Sequence, residues 1–226
     1  MAERVILSWS GGKDSAMAFR ELYHDQRYKI ASLLTTVTEG YDRVSMHGVR
    51  LTLVDQQARA LGLSLLKVPI PQNASNEQYE CAMRAVLSDA KADGVSTIAF
   101  GDVFLEDIRQ YREKRLSEVG LKALFPIWKR DTRELAVNFI QAGFQAILTC
   151  VDSERLAGSF AGRSFDESLL NDLPVRVDPS GENGEFHTFV HAGPIFKNSI
   201  PVHLGEIVLR DNRFWYCDLV PDAPAP

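Results

Sequence analysis

Cysteine is scarce and scattered, with Cys81, Cys150 and Cys217 the only three in 226 residues. An odd count with no CxxC pair supports neither a disulfide framework nor a zinc ribbon, and makes a reducing, cytoplasmic setting the expectation. Long apolar runs are missing too. No stretch approaches the roughly 18 apolar residues of a membrane helix, and the start "MAERVILSWSGG" is too short for a secretory apolar core, so neither a membrane partner nor export is expected. Excess positive charge is also lacking: 30 acidic residues against 25 Lys and Arg give a formal net charge of −5. That balance argues against nucleic acid as a partner and makes a small molecule or a protein the default. Neither GxxxxGKS/T nor GxGxxG follows the first apolar run, which excludes the two commonest nucleotide fingerprints. Internal repeats and low-complexity blocks are absent as well.

What is present is a hydrophobic content of 45%, ample for a packed core. Five short runs, "RVILSW", "IASLLTT", "SLLKV", "STIAF" and "QAILTCV", alternate with stretches of helical period. Val54, Ala58 and Leu61 share one helical face, and Met83, Val86, Leu87 and Ala90 another. "DTRE", Asp131 to Glu134, has capping-box spacing and Gly143 stands where that helix would stop. The alternation predicts the α/β class, a doubly wound parallel five-stranded sheet. Beyond about Ser153 the rhythm changes: a glycine-rich stretch and a short helix near Phe165 to Leu170 precede the strand-like runs "EFHTFV", "VHLGEIVLR" and "FWYCDLV". The last two are joined across Asp211 and Asn212. The expected organisation is residues 1–130 as a nucleotide-binding α/β domain, 131–220 as a smaller α+β substrate domain, and 221–226 as a frayed tail.

The chemistry concentrates first at "ILSWSGGKDSAMAF". A strand, a glycine turn and a helix start aim several backbone N–H groups at one point, where the helix dipole favours an anion. Gly11 and Gly12 let a phosphate approach the backbone, Lys13 neutralises its charge and Ser15 offers a hydroxyl. Asp14 conflicts with phosphate unless it caps the helix or holds a divalent cation such as magnesium. "SGGKDS", Ser10 to Ser15, resembles letter for letter the signature of the PP-loop ATP pyrophosphatases. The resemblance implies a PP-loop fold of the adenine nucleotide alpha hydrolase (HUP) type, with ATP held by its β- and γ-phosphates, reaction at the α-phosphate, and release of pyrophosphate.

In a doubly wound sheet, ligands lie outside the carboxyl ends of the strands. Thr35 and Thr36 end the second run, where PP-loop proteins hold adenine; they read equally as plain strand residues. Gly101 and Asp102 open "GDVFLED" after the fourth run, where Asp102 either binds magnesium or substrate or caps the next helix. His47, in "RVSMHGVR", is either a nucleotide contact or a solvated loop histidine. "IRQYREKR", Ile108 to Arg115, reads by default as a solvated basic helix face; the alternative is that its arginines meet an acidic partner or phosphate. In "DPSGENGEFHTF", Gly181, Glu182, Gly184, Glu185, His187 and Thr188 crowd two acids, an imidazole and a hydroxyl into a short span, either a substrate site or a turn at Asn183 and Gly184 leading into a strand.

"SGGKDS", "SMHGV", "GDVFLEDIRQYRE", "FPIW", "GENGEFHTF" and "GPIF" stand in the same order as in the diphthine-ammonia ligase (diphthamide synthase) family, which the chain resembles over roughly Val5 to Val202. The resemblance implies an ATP-dependent ligase that adenylates a carboxylate and lets ammonium displace AMP. Its partners would be ammonium and an acceptor carboxylate such as diphthine of an elongation factor; a homodimer stays open. The resemblance carries Ser10 to Ser15 over as phosphate-binding and "GENGEFHT" as the acceptor side. The candidate catalytic residues, assigned from the residues themselves, are Asp14, Asp102, Glu182, Glu185 and His187. "VSMHGVR" and "GDVFLED" look like the bacterial branch, which leaves the acceptor open between diphthine and a different carboxylate, and Ser180 stands where relatives often carry cysteine. Two other readings compete, a PP-loop RNA-modifying enzyme and a sensor that holds nucleotide without turnover. The first is disfavoured by the acidic charge and missing CxxC, the second by the complete "SGGKDS".

Overall fold

The computed structural model describes residues 2–41, 43–44 and 48–222. The chain divides into two compact units that interleave along the sequence. One comprises Met1–Ser10, Asp14–Ser45 and Gly62–Lys129; the other comprises Gly11–Lys13, Met46–Leu61 and Arg130–Pro226.

The first unit carries five parallel strands: β1 (Glu3–Ser8), β2 (Tyr28–Thr38), β4 (Leu65–Ile70), β5 (Thr97–Ala99) and β6 (Lys122–Leu124). Their spatial order is β4-β2-β1-β5-β6, and the short β3 (Arg43–Val44) pairs antiparallel with β2. Val5, Ile6 and Leu7 of β1 are almost fully buried, as expected for a parallel strand covered on both faces. Ile6, Leu34, Val68 and Ile98 share a core cluster with Leu87 and Ala90 of α3 (Asn76–Ala92) and Leu116 of α4 (Glu106–Glu118). Helix α3 begins with a complete capping box at Ser75 and Gln78. The chain winds outward from β1 through β2 to β4, then returns to β5 and β6. The strand order therefore reverses between β1 and β5, the position at which such sheets open a ligand crevice beyond their strand ends.

The second unit holds the antiparallel sheet β8-β7-β10-β9, built from β7 (Gln145–Asp152), β8 (Phe186–Ala192), β9 (Val202–Arg210) and β10 (Phe214–Pro221). The β9–β10 turn places Asp211 and Asn212 at φ 54° and 52° with Arg213 N–H donating to Arg210 O, the type I′ pattern that suits a twisted hairpin. Helix α5 (Thr132–Gln141) starts where the DTRE stretch predicts, with the Asp131 carboxylate accepting from Glu134 N at 2.9 Å. Gly143 follows its end at φ 83°. Helix α6 (Glu167–Asp172) covers most of the short helical stretch near Phe165. Helix α2 (Leu51–Leu61), with Leu53, Val54, Gln57 and Ala58 buried, also groups with this unit.

The α/β class and the parallel five-stranded sheet are as expected, but one strand is not. "QAILTCV" does not supply the fifth parallel strand. It forms β7, antiparallel to β8 and β10, while the fifth parallel strand is the three-residue "KAL" at Lys122–Leu124. Seven consecutive buried residues, Ala146 to Asp152, make β7 look locally like an inner parallel strand. Burial alone does not disclose which neighbour it pairs with.

Candidate functional site

The turn at Ser10–Ser15 follows β1 directly, and α1 (Lys13–His24) begins inside it. In the first unit, Trp9 N–H donates to Leu34 O at 2.7 Å, continuing the β1–β2 pairing one residue past β1. Ser10 Oγ lies 3.4 Å from Ser15 Oγ. Thr35 and Thr36 therefore lie just beyond the last β1 partner, Leu34, on opposite faces of β2. Strand β2 itself does not stop there but runs to Thr38, extended by its pairing with β3 and β4. Gly101, after β5, packs on the start of α1. A Cβ built on it would meet Asp14 C at 2.8 Å and Ser15 N at 3.0 Å, so no larger residue fits there without displacing backbone.

Asp102 is mostly buried and faces Asp14 electrostatically within the same unit. Burial holds its carboxyl above the usual range; Arg112 pulls it down and the Asp14 charge pushes it up. Arg112 Nε is 3.0 Å from Asp102 Oδ2, yet it is aligned too poorly to hydrogen-bond, and that buried oxygen has no hydrogen-bond partner. The Arg112 guanidinium lies over the Phe100 ring, 4.0 Å from its centre, which fixes the cation from the other side. An orphaned carboxylate oxygen beside a second carboxylate suits magnesium, which accepts one or two carboxylates and completes its shell with phosphate oxygens and water. Among the described residues no three His, Cys, Asp or Glu side chains form a full protein ligand set.

In the second unit, Gly11–Lys13 is hydrogen-bonded to β8. Gly11, at φ 82°, has its carbonyl accept from Val190 N–H at 2.9 Å and from Gln57 Nε2 at 3.0 Å. Gln57 Nε2 also donates to Val190 O at 2.6 Å. Lys13 N–H donates to Thr188 Oγ1 at 3.1 Å, and Lys13 Nζ is 3.4 Å from Glu182 Oε1. Both side chains of that ion pair are at least nine-tenths buried. Strand alternation puts His187 on the opposite face of β8 from Thr188 and hence from this contact.

The loop that presents Glu182 is tied by two other carboxylates. Glu185, 2% exposed, accepts from Asp178 N–H at 3.1 Å, Asn183 N–H at 2.9 Å and Asn183 Nδ2 at 3.2 Å. Asp178 accepts from Ser180 N–H at 2.8 Å, Glu182 N–H at 3.3 Å and Thr132 Oγ1 at 2.7 Å. Ser180 Oγ donates to Thr132 O, so the start of α5 and the loop are clasped together. Gly181 and Gly184 sit in this loop at φ 68° and 82°. The sequence reading missed Asp178, Thr132 and Gln57, while Arg112, on Asp102, follows the alternative for the IRQYREKR stretch rather than its solvated default. Asp178 had a signal, since an Asp before Pro commonly closes a turn on its own backbone. Gln57 had a fainter one, an amide between Val54 and Ala58 on an otherwise apolar stripe. His47 lies outside the described residues.

With this geometry in place, comparison with known proteins places the chain. Residues 3–123 match the model described as the diphthamide synthase N-terminal domain, and residues 131–219 match the diphthamide synthase C-terminal domain. This chain belongs to the diphthamide synthase family. Its relatives in that family include the diphthine–ammonia ligase of Danio rerio, 26% identical over 92% of this chain and 90% of the relative. The human diphthine–ammonia ligase is 24% identical over 76% of this chain and 67% of its own length. That of Schizosaccharomyces pombe is 27% identical over 61% of this chain, and the matched region spans only 23% of the yeast protein. Among the described residues of this diphthamide synthase family member, no helix is long and apolar enough to cross a membrane.

Proposed function

We propose that this chain is an ATP-dependent ligase that forms an amide from a carboxylate and ammonia, releasing AMP and pyrophosphate. The observation that carries the reading is the family match on both halves of the chain together with a complete SGGKDS turn at the switch in strand order. On this reading the turn takes the outer phosphates of ATP, with Lys13 neutralising them, and Thr35 and Thr36 border the adenine. Asp14 and Asp102 would hold a magnesium ion, which when bound neutralises triphosphate charge. The acceptor carboxylate attacks the α-phosphorus and the bond to pyrophosphate breaks. Ammonia then attacks the acyl carbon of the adenylate, and AMP leaves. The attacking nitrogen gives up protons, and Glu182, which pairs with Lys13, is our candidate to take one. Glu185 has its oxygens committed to loop hydrogen bonds and acts as scaffold, while His187 faces away from Lys13 and takes no proton from this side.

The acceptor is a carboxylate of the diphthine type, a protein-borne side chain. The test incubates the protein with MgATP, ammonium and candidate acceptors, diphthine-bearing elongation factor and free carboxylic acids among them, and identifies the nucleotide product. AMP with pyrophosphate, appearing only when ammonium and an acceptor are present, is the expected result. ADP, or ATP consumed without ammonium entering a product, overturns the reading.

A further inference from the structure

We infer that Gln57 is a positioning residue of the phosphate turn, one that sets the shape in which the backbone meets the outer phosphates of ATP. Gln57 is fully buried on α2, 46 residues from Gly11 and 133 from Val190. Its two amide hydrogens divide between Gly11 O in the turn and Val190 O in β8. Because Val190 N–H also donates to Gly11 O, these three residues form one closed hydrogen-bonded unit that joins the turn to the strand carrying Thr188. The same strand takes the Lys13 N–H through Thr188 Oγ1. The turn is thereby held on both sides of Gly12 by groups from α2 and β8, and neither group lies in the SGGKDS stretch.

The fit is close as well as polar. A Cβ built on Gly11 would lie 2.7 Å from Gln57 Oε1, so the left-handed Gly11 backbone and the Gln57 side chain define each other's place. A carbonyl turned toward bound phosphate repels it, whereas an N–H attracts it. By holding the Gly11 carbonyl on β8, Gln57 keeps that acceptor from turning toward the anion. No charge is involved, and the amide is the one neutral side chain of this length with two donors on a single atom.

This inference rests on the reading that the turn takes the β- and γ-phosphates, and it separates two nucleotides that a general loss of stability would not. In the full chain, Gln57→Met keeps the side-chain length and removes both donors. Calorimetric titration should show MgATP binding weakened on the order of tenfold or more, from a misplaced phosphate cradle. AMP, which lacks the outer phosphates, should bind as it does to the unaltered protein. Gln57→Asn keeps the amide but leaves it one methylene short of both carbonyls, and should show the same split should the methionine variant fail to fold. ATP affinity unchanged in a folded variant, or ATP and AMP affinities falling together, overturns the positioning role. An ATP-specific loss in a protein that makes no amide with any acceptor supports the role of Gln57 and counts against the ligase reading alone. An unaltered protein without affinity for MgATP overturns both.

Discussion

Asp102 joins two demands that oppose each other. Its buried, orphaned oxygen suits a cation, and in the absence of one the same burial disfavours the anion. Its carboxyl is held above its unfolded value, so the folded protein binds the proton more tightly. The stability this group contributes is fully present below the ordinary carboxyl pKa of about 3.9 and is lost as the pH rises through the raised folded value. At neutral pH the ionised side chain is therefore a burden on the fold. Asp102→Asn should raise the melting temperature at neutral pH by about 2 °C or more, an advantage that should shrink at a pH below the ordinary carboxyl pKa of about 3.9. Thermal melts at the two pH values check this, and a variant that melts lower at neutral pH contradicts the sign. The location of Asp102 after the fourth apolar run was legible in the sequence, because strand ends in such sheets border ligands. Its dependence on Arg112 and Phe100 was not, since both are ordinary residues until the fold brings the guanidinium over the ring.

Elements differ in how much of themselves they carry locally. Helix α5 is specified at both ends by nearby residues, Asp131 accepting from Glu134 N–H and Gly143 turning left-handed beyond the last turn. Asp131→Ala removes the acceptor that satisfies Glu134 N–H and a negative charge at the positive end of the helix. The expected cost is about 1 kcal/mol, read as a fall of about 2–4 °C in melting temperature. Strands behave differently. The β9–β10 hairpin was readable because its turn and both strands are contiguous, with Asp211 and Asn212 able to adopt positive φ. The partners of β7 were not readable, because β8 and β10 lie far along the chain and an inner antiparallel strand can be as continuously buried as a parallel one. Strand β6 escaped notice for another reason. Three residues with an exposed Lys122 and half-buried neighbours have too little pattern to register.

At the scale of the whole molecule, the two units do not correspond to two halves of the chain. Gly11–Lys13 and α2, both from the N-terminal part, group with the C-terminal sheet. A chain ending at residue 130 would leave Gly11 O and Lys13 N–H without Val190 and Thr188, and Gln57 Nε2 without Val190 O. Such a fragment is expected to lack a sharp, cooperative unfolding transition in denaturant, and the full chain to show one. A fragment with a transition as sharp as that of the full chain would show that the interleaving is dispensable for folding.

Local chemistry by itself determined a good deal of this protein: the strand, glycine turn and helix of the SGGKDS stretch, the capped start of α5, and the β9–β10 turn. Each depends on φ/ψ preferences and hydrogen bonds among residues a few positions apart. Tertiary structure alone decided which sheet β7 enters, how the Gly11 carbonyl reaches Val190, why Glu185 braces a loop, and which oxygen of Asp102 lacks a hydrogen bond. Those outcomes turn on segments tens to more than a hundred residues apart arriving at the same place, and the partners are named only when apolar burial brings the segments together.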